Sequence, residues 1–281
     1  LVFNIMTTSL YKQITSTPPY IITLTCGDQA ENHKGMEMIG NLVEKGEGFQ
    51  YEDLVAIRTQ MELRGAHCEL ISLGSGSESG SGSGSGSGSE EAFFLRIRGG
   101  IEALLQESEY TEKQLTKEHI GLKYDKKAWM YGRIVSKHAR WNLCFDEECR
   151  EACYEEGKGS IVSWDDVPIL KIVLRQLEDV IGKKAENLKV ESNYYYDMKK
   201  YGIGFHGDSE RRKVIGIRLG NTSMPLHYQW YFQGNAIGER IVIPLDPGDI
   251  YVMCEKAVGT DWKKKKIPTL RHAAGCSRFT V

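Results

Sequence analysis

The feature that most constrains this fold is a succession of short β-like segments between residues 128 and 254, each closed by turn residues. Residues 128–135 and 139–145 flank the basic turn Ser136-Lys137-His138, and 189–196, 201–206, 213–219, 226–232, 239–244 and 249–254 follow. β-Branched and aromatic side chains dominate these runs, which suits a pleated, half-buried surface. Pro247-Gly248-Asp249 is a turn of the kind that joins hairpin strands. One amphipathic helix is predicted over 168–181, with Leu170, Ile172, Val173, Leu177 and Val180 on its buried side. A helix followed by many short antiparallel strands predicts a jelly-roll-like double sheet.

The chain ahead of this region reads differently. Residues 20–25 form a strand-like run, and 28–39 read as a helix with Asp28 as its N-cap. Tyr51 to Arg64 has helical spacing, with Leu54, Ile57 and Met61 on one face and Gly65 as the cap; 67–73 is a second strand. Residues 74–89 are then an almost pure Gly/Ser alternation, broken only by Glu78. Such a segment buries nothing and acts as a tether. At about 5–6 Å × √n its sixteen residues span only ~20–24 Å on average, so the flanking segments should be near neighbours. A third strand follows over 92–98 and a short helix over 100–106. The expected organisation is α+β. A small N-terminal α/β unit covers 7–110, interrupted by the tether 74–89, and a β-rich domain covers 111–281.

Composition narrows the function classes. With 41% apolar and 10% aromatic residues the chain can bury a real core. A net charge of −2 and a pI of about 6.4 give no global basic field, so any nucleic-acid contact has to be local. The seven cysteines complete no Cys-x-x-Cys zinc knuckle and read as reduced thiols of an intracellular protein. No apolar run reaches the ~20 residues of a membrane span. The apolar opening, residues 1–6, lacks the basic start of a signal peptide, and Met6 reads as a start. The expectation is a soluble protein of cytoplasm or nucleus, with no membrane partner.

The chemistry concentrates near the end of the chain. His206-Gly207-Asp208 closes a strand-like run, and His272 lies beside a second turn, followed by Arg278-Phe279-Thr280. Two imidazoles and one carboxylate can occupy one face of an octahedral iron and leave the other open, so His206, Asp208 and His272 are the candidate metal ligands and catalytic residues. An Arg after the second His can hold the far carboxylate of a 2-oxo acid, because its planar fork matches a carboxylate. The bland alternative is a surface His beside a solvated Asp.

On these ordered motifs, residues 125–280 resemble the AlkB family of Fe(II)- and 2-oxoglutarate-dependent dioxygenases. Asn193-Tyr194-Tyr195 is similar to the family's Asn-x-Tyr, and His206-Gly-Asp208-Ser-Glu210 to its His-x-Asp-x-Asp/Glu. Residues 213–220 and 247–253 resemble the strand after the dyad and the Gly-Asp turn before the second His, while Arg271-His272 and Arg278-x-Thr280 close the set. Residues 131–141 are similar to the segment that forms the family's nucleotide-recognition lid.

The resemblance implies a double-stranded β-helix (jelly-roll) core using Fe(II), 2-oxoglutarate and O2. It implies that Asn193, Tyr195 and Arg278 bind 2-oxoglutarate. Tyr196 is an alternative to Tyr195, because the Asn-x-Tyr lies far from the dyad. Arg271 or Arg218 is an alternative to Arg278, because only five residues separate it from His272. The implied reaction is oxidation of a C–H bond on a nucleic-acid base, by demethylation or hydroxylation. Glu210, Arg140 and Trp141 are the substrate-binding candidates. Tyr228, Trp230, Tyr231 and the run Lys263–Lys266 also suit nucleic acid, although strand aromatics serve as core and a Lys run as a solvated loop. A hydroxylase of a protein side chain or small metabolite is the alternative, and a binding module on the same fold a third.

Overall fold

The computed structural model describes residues 17–76 and 91–281; the Met6 start and the tether from 77 to 89 lie outside the described residues. In chain order the first strands are β1 (Ile21–Gly27), β2 (Gln29–Glu31), β3 (Met38–Gly40), β4 (His67–Ser72), β5 (Phe93–Arg98), β6 (Lys127–Met130), β7 (Arg133–Ser136) and β8 (Trp141–Asp146). The rest are β9 (Ile161–Ser163), β10 (Lys189–Tyr195), β11 (Gly202–His206), β12 (Val214–Gly220), β13 (Leu226–Phe232), β14 (Asn235–Ile243), β15 (Ile250–Met253) and β16 (Thr269–Gly275). The main helices are α1 (Tyr51–Leu63), α2 (Gly100–Leu105), α3 (Glu112–Ile120) and α4 (Pro168–Ile181), with the single turns α5 (Glu255–Val258) and α6 (Ser277–Thr280) near the end.

Two sheets dominate. An eight-stranded mixed sheet runs β4-β5-β15-β12-β1-β10-β8-β9, and a four-stranded antiparallel sheet runs β11-β16-β13-β14. Their inner faces share one core, as in a β-sandwich. Phe94 of β5 meets Tyr228 of β13 edge-on at 5.9 Å, and the Trp230 indole N–H donates to the Leu73 carbonyl at 2.6 Å. The back of the large sheet is covered by helices. The α4 N-terminus has no cap of its own; Glu118 of α3 accepts the Ile169 and Leu170 N–H groups at 2.9 and 3.1 Å. A carboxylate there satisfies orphan donors and the helix dipole together. Among the described residues no helix is long and apolar enough to cross a membrane.

The boundary expected near residue 110 is not a boundary in the sheet. β1 is inserted between β10 and β12, pairing Ile21 with both Tyr195 and Gly220, and β5 pairs with β15. β1, β4 and β5 therefore complete the large sheet, and of the described strands before residue 110 only the β2–β3 hairpin pairs apart from it. Every position of β1 is buried, so this strand gains its stability from both neighbours and both faces.

Two local readings are also corrected. Residues 28–39 form the β2–β3 hairpin, not a helix. The Asp28 carboxylate, free to cap a helix in isolation, instead accepts N–H groups from Val43, Arg212 and Lys213 at 2.9 Å each. Residues 128–135 are a hairpin, not one strand. Tyr131 and Gly132 both have positive φ (54° and 72°), as a tight two-residue hairpin turn requires. The near approach expected of the tether's flanks is present: the Leu73 N–H donates to the Ala92 carbonyl at 2.8 Å, and the Ala92 N–H to the Gly74 carbonyl at 2.9 Å.

Candidate metal centre and cavity

β11 and β16 lie side by side, and their register sets His206 opposite His272 with ring centres 4.6 Å apart. Both rings face inward. Asp208 follows in the loop, held by its N–H to the Val258 carbonyl at 3.0 Å. Its Oδ1 lies 3.5 Å from His206 Nε2 and 3.7 Å from His272 Nε2. The three ligand atoms are within 4.8 Å of one another, the one such cluster among the described residues able to hold a metal ion. Glycine is required at 207, because a Cβ would collide with the Gly259 carbonyl as the loop folds back.

Protonation favours a metal. The His206 Nδ1–H donates to the Gly204 carbonyl at 2.8 Å, which leaves the Nε2 lone pair aimed at the cluster. Burial, reinforced by the neighbouring His272, lowers the His206 pKa to about 4, so its ring is neutral at neutral pH. Burial opposes ionisation of Asp208, but the hydrogen bond and charge of His272, with Arg211 and His206, outweigh it and hold that carboxyl below its usual range. Neutral imidazoles and an ionised carboxylate are the forms that ligate.

The cluster opens on a cavity of about 820 Å³ lined by both sheets. Strand alternation along β10 turns Glu191, Asn193 and Tyr195 into it. Asn193 Oδ1 accepts from Arg140 Nε and Asn142 Nδ2, both at 2.5 Å. Tyr194 and Tyr196 do not line the cavity, which separates Tyr195 from its alternative. Trp141 is likewise not at the site. Its ring stacks on Tyr196 at 4.0 Å and carries Lys126 at 4.2 Å, away from the cavity. Tyr228 and Trp230 are core residues.

The structure does not bring Arg278 to the metal cluster. Arg278 lies exposed on α6 and does not line the cavity, because the chain turns outward after β16. Arg271 also faces away, its guanidinium 4.0 Å from the Tyr231 ring centre. Arg218, in the middle of β12, faces the cavity and is 1% exposed. One amine donates to Thr23 Oγ1 at 2.6 Å, while its Nε has no partner. Among the described residues no carboxylate lies within ion-pair distance of it. A buried guanidinium without a counter-charge is costly, and an anion in the cavity would relieve it. The signal in the sequence was one charge inside the apolar run Val214-Ile-Gly-Ile-Arg-Leu219.

Charge is layered from the cavity mouth inward. Lys34 on the β2–β3 hairpin, His138 and Arg140 before β8, and Lys263 make a basic rim from separate segments. Inside, Arg211 is 2% exposed, with Glu191 at 2.8 Å, Glu210 at 3.3 Å and Asp208 at 3.9 Å. Glu31 joins them through its N–H to Glu191 at 3.1 Å. Burial, then the charges of Glu210 and Glu191, raise the Glu31 pKa to about 7; burial, then Asp208, raises that of Glu210. The Glu31 carboxyl can therefore accept or donate a proton near neutral pH. Glu31, Glu191 and Arg211 were missed as site residues, Glu31 because its hairpin read as a polar helix face. Lys137, buried under the rim, donates to the Asn32 carbonyl and side chain at 3.1 and 2.6 Å, and so fixes the hairpin over the cavity.

No family model matches the chain. It is 47% identical over 258 residues to the protein named "Uncharacterized protein R156" of Acanthamoeba polyphaga mimivirus, covering 92% of this chain and 96% of that protein. At that likeness over nearly both lengths, the chain belongs to the family of the viral protein.

Proposed function

We propose that this member of the mimivirus protein's family is an Fe(II)- and 2-oxoglutarate-dependent dioxygenase, AlkB-like, with a double-stranded β-helix core, acting on a C–H bond of a nucleic-acid base. The observation that carries the reading is the pairing of two features in one cavity. One is the His206–Asp208–His272 cluster and the other is the buried, uncompensated Arg218. A metal with open positions and a fixed cation for a remote carboxylate are together what a 2-oxo dicarboxylate needs.

When bound, Fe(II) with 2-oxoglutarate and O2 supplies the oxidising power for C–H cleavage, which no side chain can supply. The protein's part is position and charge. His206 and His272 each present a ring nitrogen, and Asp208 one anionic oxygen. Arg218 neutralises the far carboxylate of the co-substrate beside Tyr195. Asn193 is already committed to Arg140, Asn142 and Glu191, so on this reading it orients Arg140 instead of gripping the co-substrate. The basic rim suits a phosphate, and Glu31 and Glu210 suit the polar edge of a base, Glu31 as a group able to donate or accept near neutral pH.

The test is succinate release from 2-oxoglutarate by iron-loaded protein after O2 is admitted, alone and with methylated oligonucleotides, nucleosides and peptides. Stimulation by one oligonucleotide is expected. Stimulation by peptides or metabolites alone would move the substrate to those classes, and no turnover with iron bound would defeat the oxygenase reading.

A further inference from the structure

The outer face of the four-stranded sheet carries Phe205, Tyr231, Arg240 and Arg271, which the cavity does not use. Arg240 lies 5.0 Å from the centre of the Phe205 ring, and Phe205 lies 6.1 Å from Tyr231. Arg271 is 4.0 Å from the Tyr231 centre and 5.3 Å from that of Trp262, with Lys263 5.5 Å beyond. Cations and rings thus follow one another in one unbroken row, with Phe205 and Tyr231 adjacent. Strand periodicity places it there, because Phe205, Tyr231 and Arg271 each neighbour an inward-facing residue, namely His206, Trp230 and His272. The row starts on β14 and ends at the cavity mouth, which Trp262 and Lys263 line.

Its charges are uncompensated. Arg240 donates to the Thr280 carbonyl and Arg271 to the Trp262 carbonyl, but among the described residues neither has a carboxylate within ion-pair distance. Lys263 and the following Lys264, Lys265 and Lys266 are likewise without an ion-pair partner among the described residues, and all four are exposed. A solvated sheet face needs polar groups but not rings, and a face built for solubility mixes both signs of charge. Rings interleaved with unpaired cations suit a polymer that offers a planar face and a negative charge at each repeat. In a duplex the base faces are already stacked, whereas a single strand leaves them free.

We propose that this row is a track for single-stranded nucleic acid, leading the strand away from the cavity mouth and holding on the order of four nucleotides. It rests on the reading of the cavity as a base site only for where the strand begins.

The test is binding, measured by fluorescence anisotropy on the full chain. It uses an unmodified thymidine single strand of about 12 nucleotides, with thymidine monophosphate as competitor, at several salt concentrations. The strand should bind at least about tenfold more tightly than the mononucleotide. Replacing Arg240, Lys264, Lys265 and Lys266 together by Gln should flatten the salt dependence of strand binding by about two or more charges. Tyr231→Leu, which keeps apolar volume, should weaken the strand about tenfold and leave the mononucleotide unchanged. Wild-type strand affinity and salt slope in the charge variant, which alters only exposed or rim positions, would overturn the proposal. So would displacement of the strand by polyglutamate of matched charge, which would instead assign an acidic protein segment. No turnover enters these measurements, so they stand or fall apart from the succinate assay.

Discussion

The two sheets face one cavity but differ on their backs. The large sheet is covered by helices behind; β1 is buried at every position and β12 through Leu219, so both read as continuous apolar runs. The small sheet alternates along β13, and most of β14 is exposed. The difference decides what each contributes. A sheet buried on both sides can fix one unpaired guanidinium, Arg218, against Thr23 with no freedom to swing towards water. The one-sided sheet, irregular between Ile203 and His206, turns two imidazoles inward and leaves its cations and rings facing outward. The candidate metal ligands and the proposed co-substrate anchor therefore come from opposite walls.

Removing a ligand from the small sheet should have the largest effect. Asp208→Ala or His272→Ala is expected to lower turnover about a thousandfold or more, the several kcal/mol a bound metal supplies, with iron binding lost and the circular dichroism spectrum retained. Full activity in either variant would remove the metal-centre assignment.

Arg211 bridges the two walls through Glu191 of β10 and Asp208. Arg211→Met leaves buried carboxylates unpaired, and denaturant unfolding should show a loss of about 3–5 kcal/mol. A third test addresses the covered back of the large sheet. His119 packs edge-on against Phe145 at 5.6 Å, its ring nitrogens without a hydrogen-bond partner and Nε2 4.0 Å from Glu118 Oε1, and burial lowers its pKa to about 3. A base with a depressed folded pKa binds its proton in the unfolded state first, so its contribution is intact above about 6.5 and falls as pH drops towards 3. Between pH 7 and 4.5 the wild type should lose about 2.5 kcal/mol more than His119→Leu. Equal slopes would show that His119 is not held neutral by burial.

Smaller effects separate the two candidate anchors. Arg218→Met should raise the KM for 2-oxoglutarate about 10–100-fold, the 1.5–3 kcal/mol of a hydrogen bond to a charged group, without lowering the Tm of the ligand-free protein. Arg278→Ala should change neither by more than about 0.5 kcal/mol in equivalent terms. The reverse pattern would return the anchor to the C-terminal turn.

The sequence by itself determined what local chemistry controls. Runs of β-branched and aromatic residues between turns marked most of the strands, the 3.6-residue period marked α1 and α4, and the short reach of the Gly/Ser tether implied that β4 and β5 are neighbours. His206 and Asp208, two residues apart, were legible for the same reason, since one strand end and its loop carry both. Only the tertiary structure decided what depends on partners far along the chain. It set β1 between β10 and β12, and it turned Trp141 towards Tyr196 and Arg278 towards solvent. It also gave Asp28 the backbone of Val43, Arg212 and Lys213 in place of a helix terminus, which brought Glu31 into the cavity. Register between distant strands, and competition for one carboxylate among donors in separate segments, leave no trace in any local window of residues.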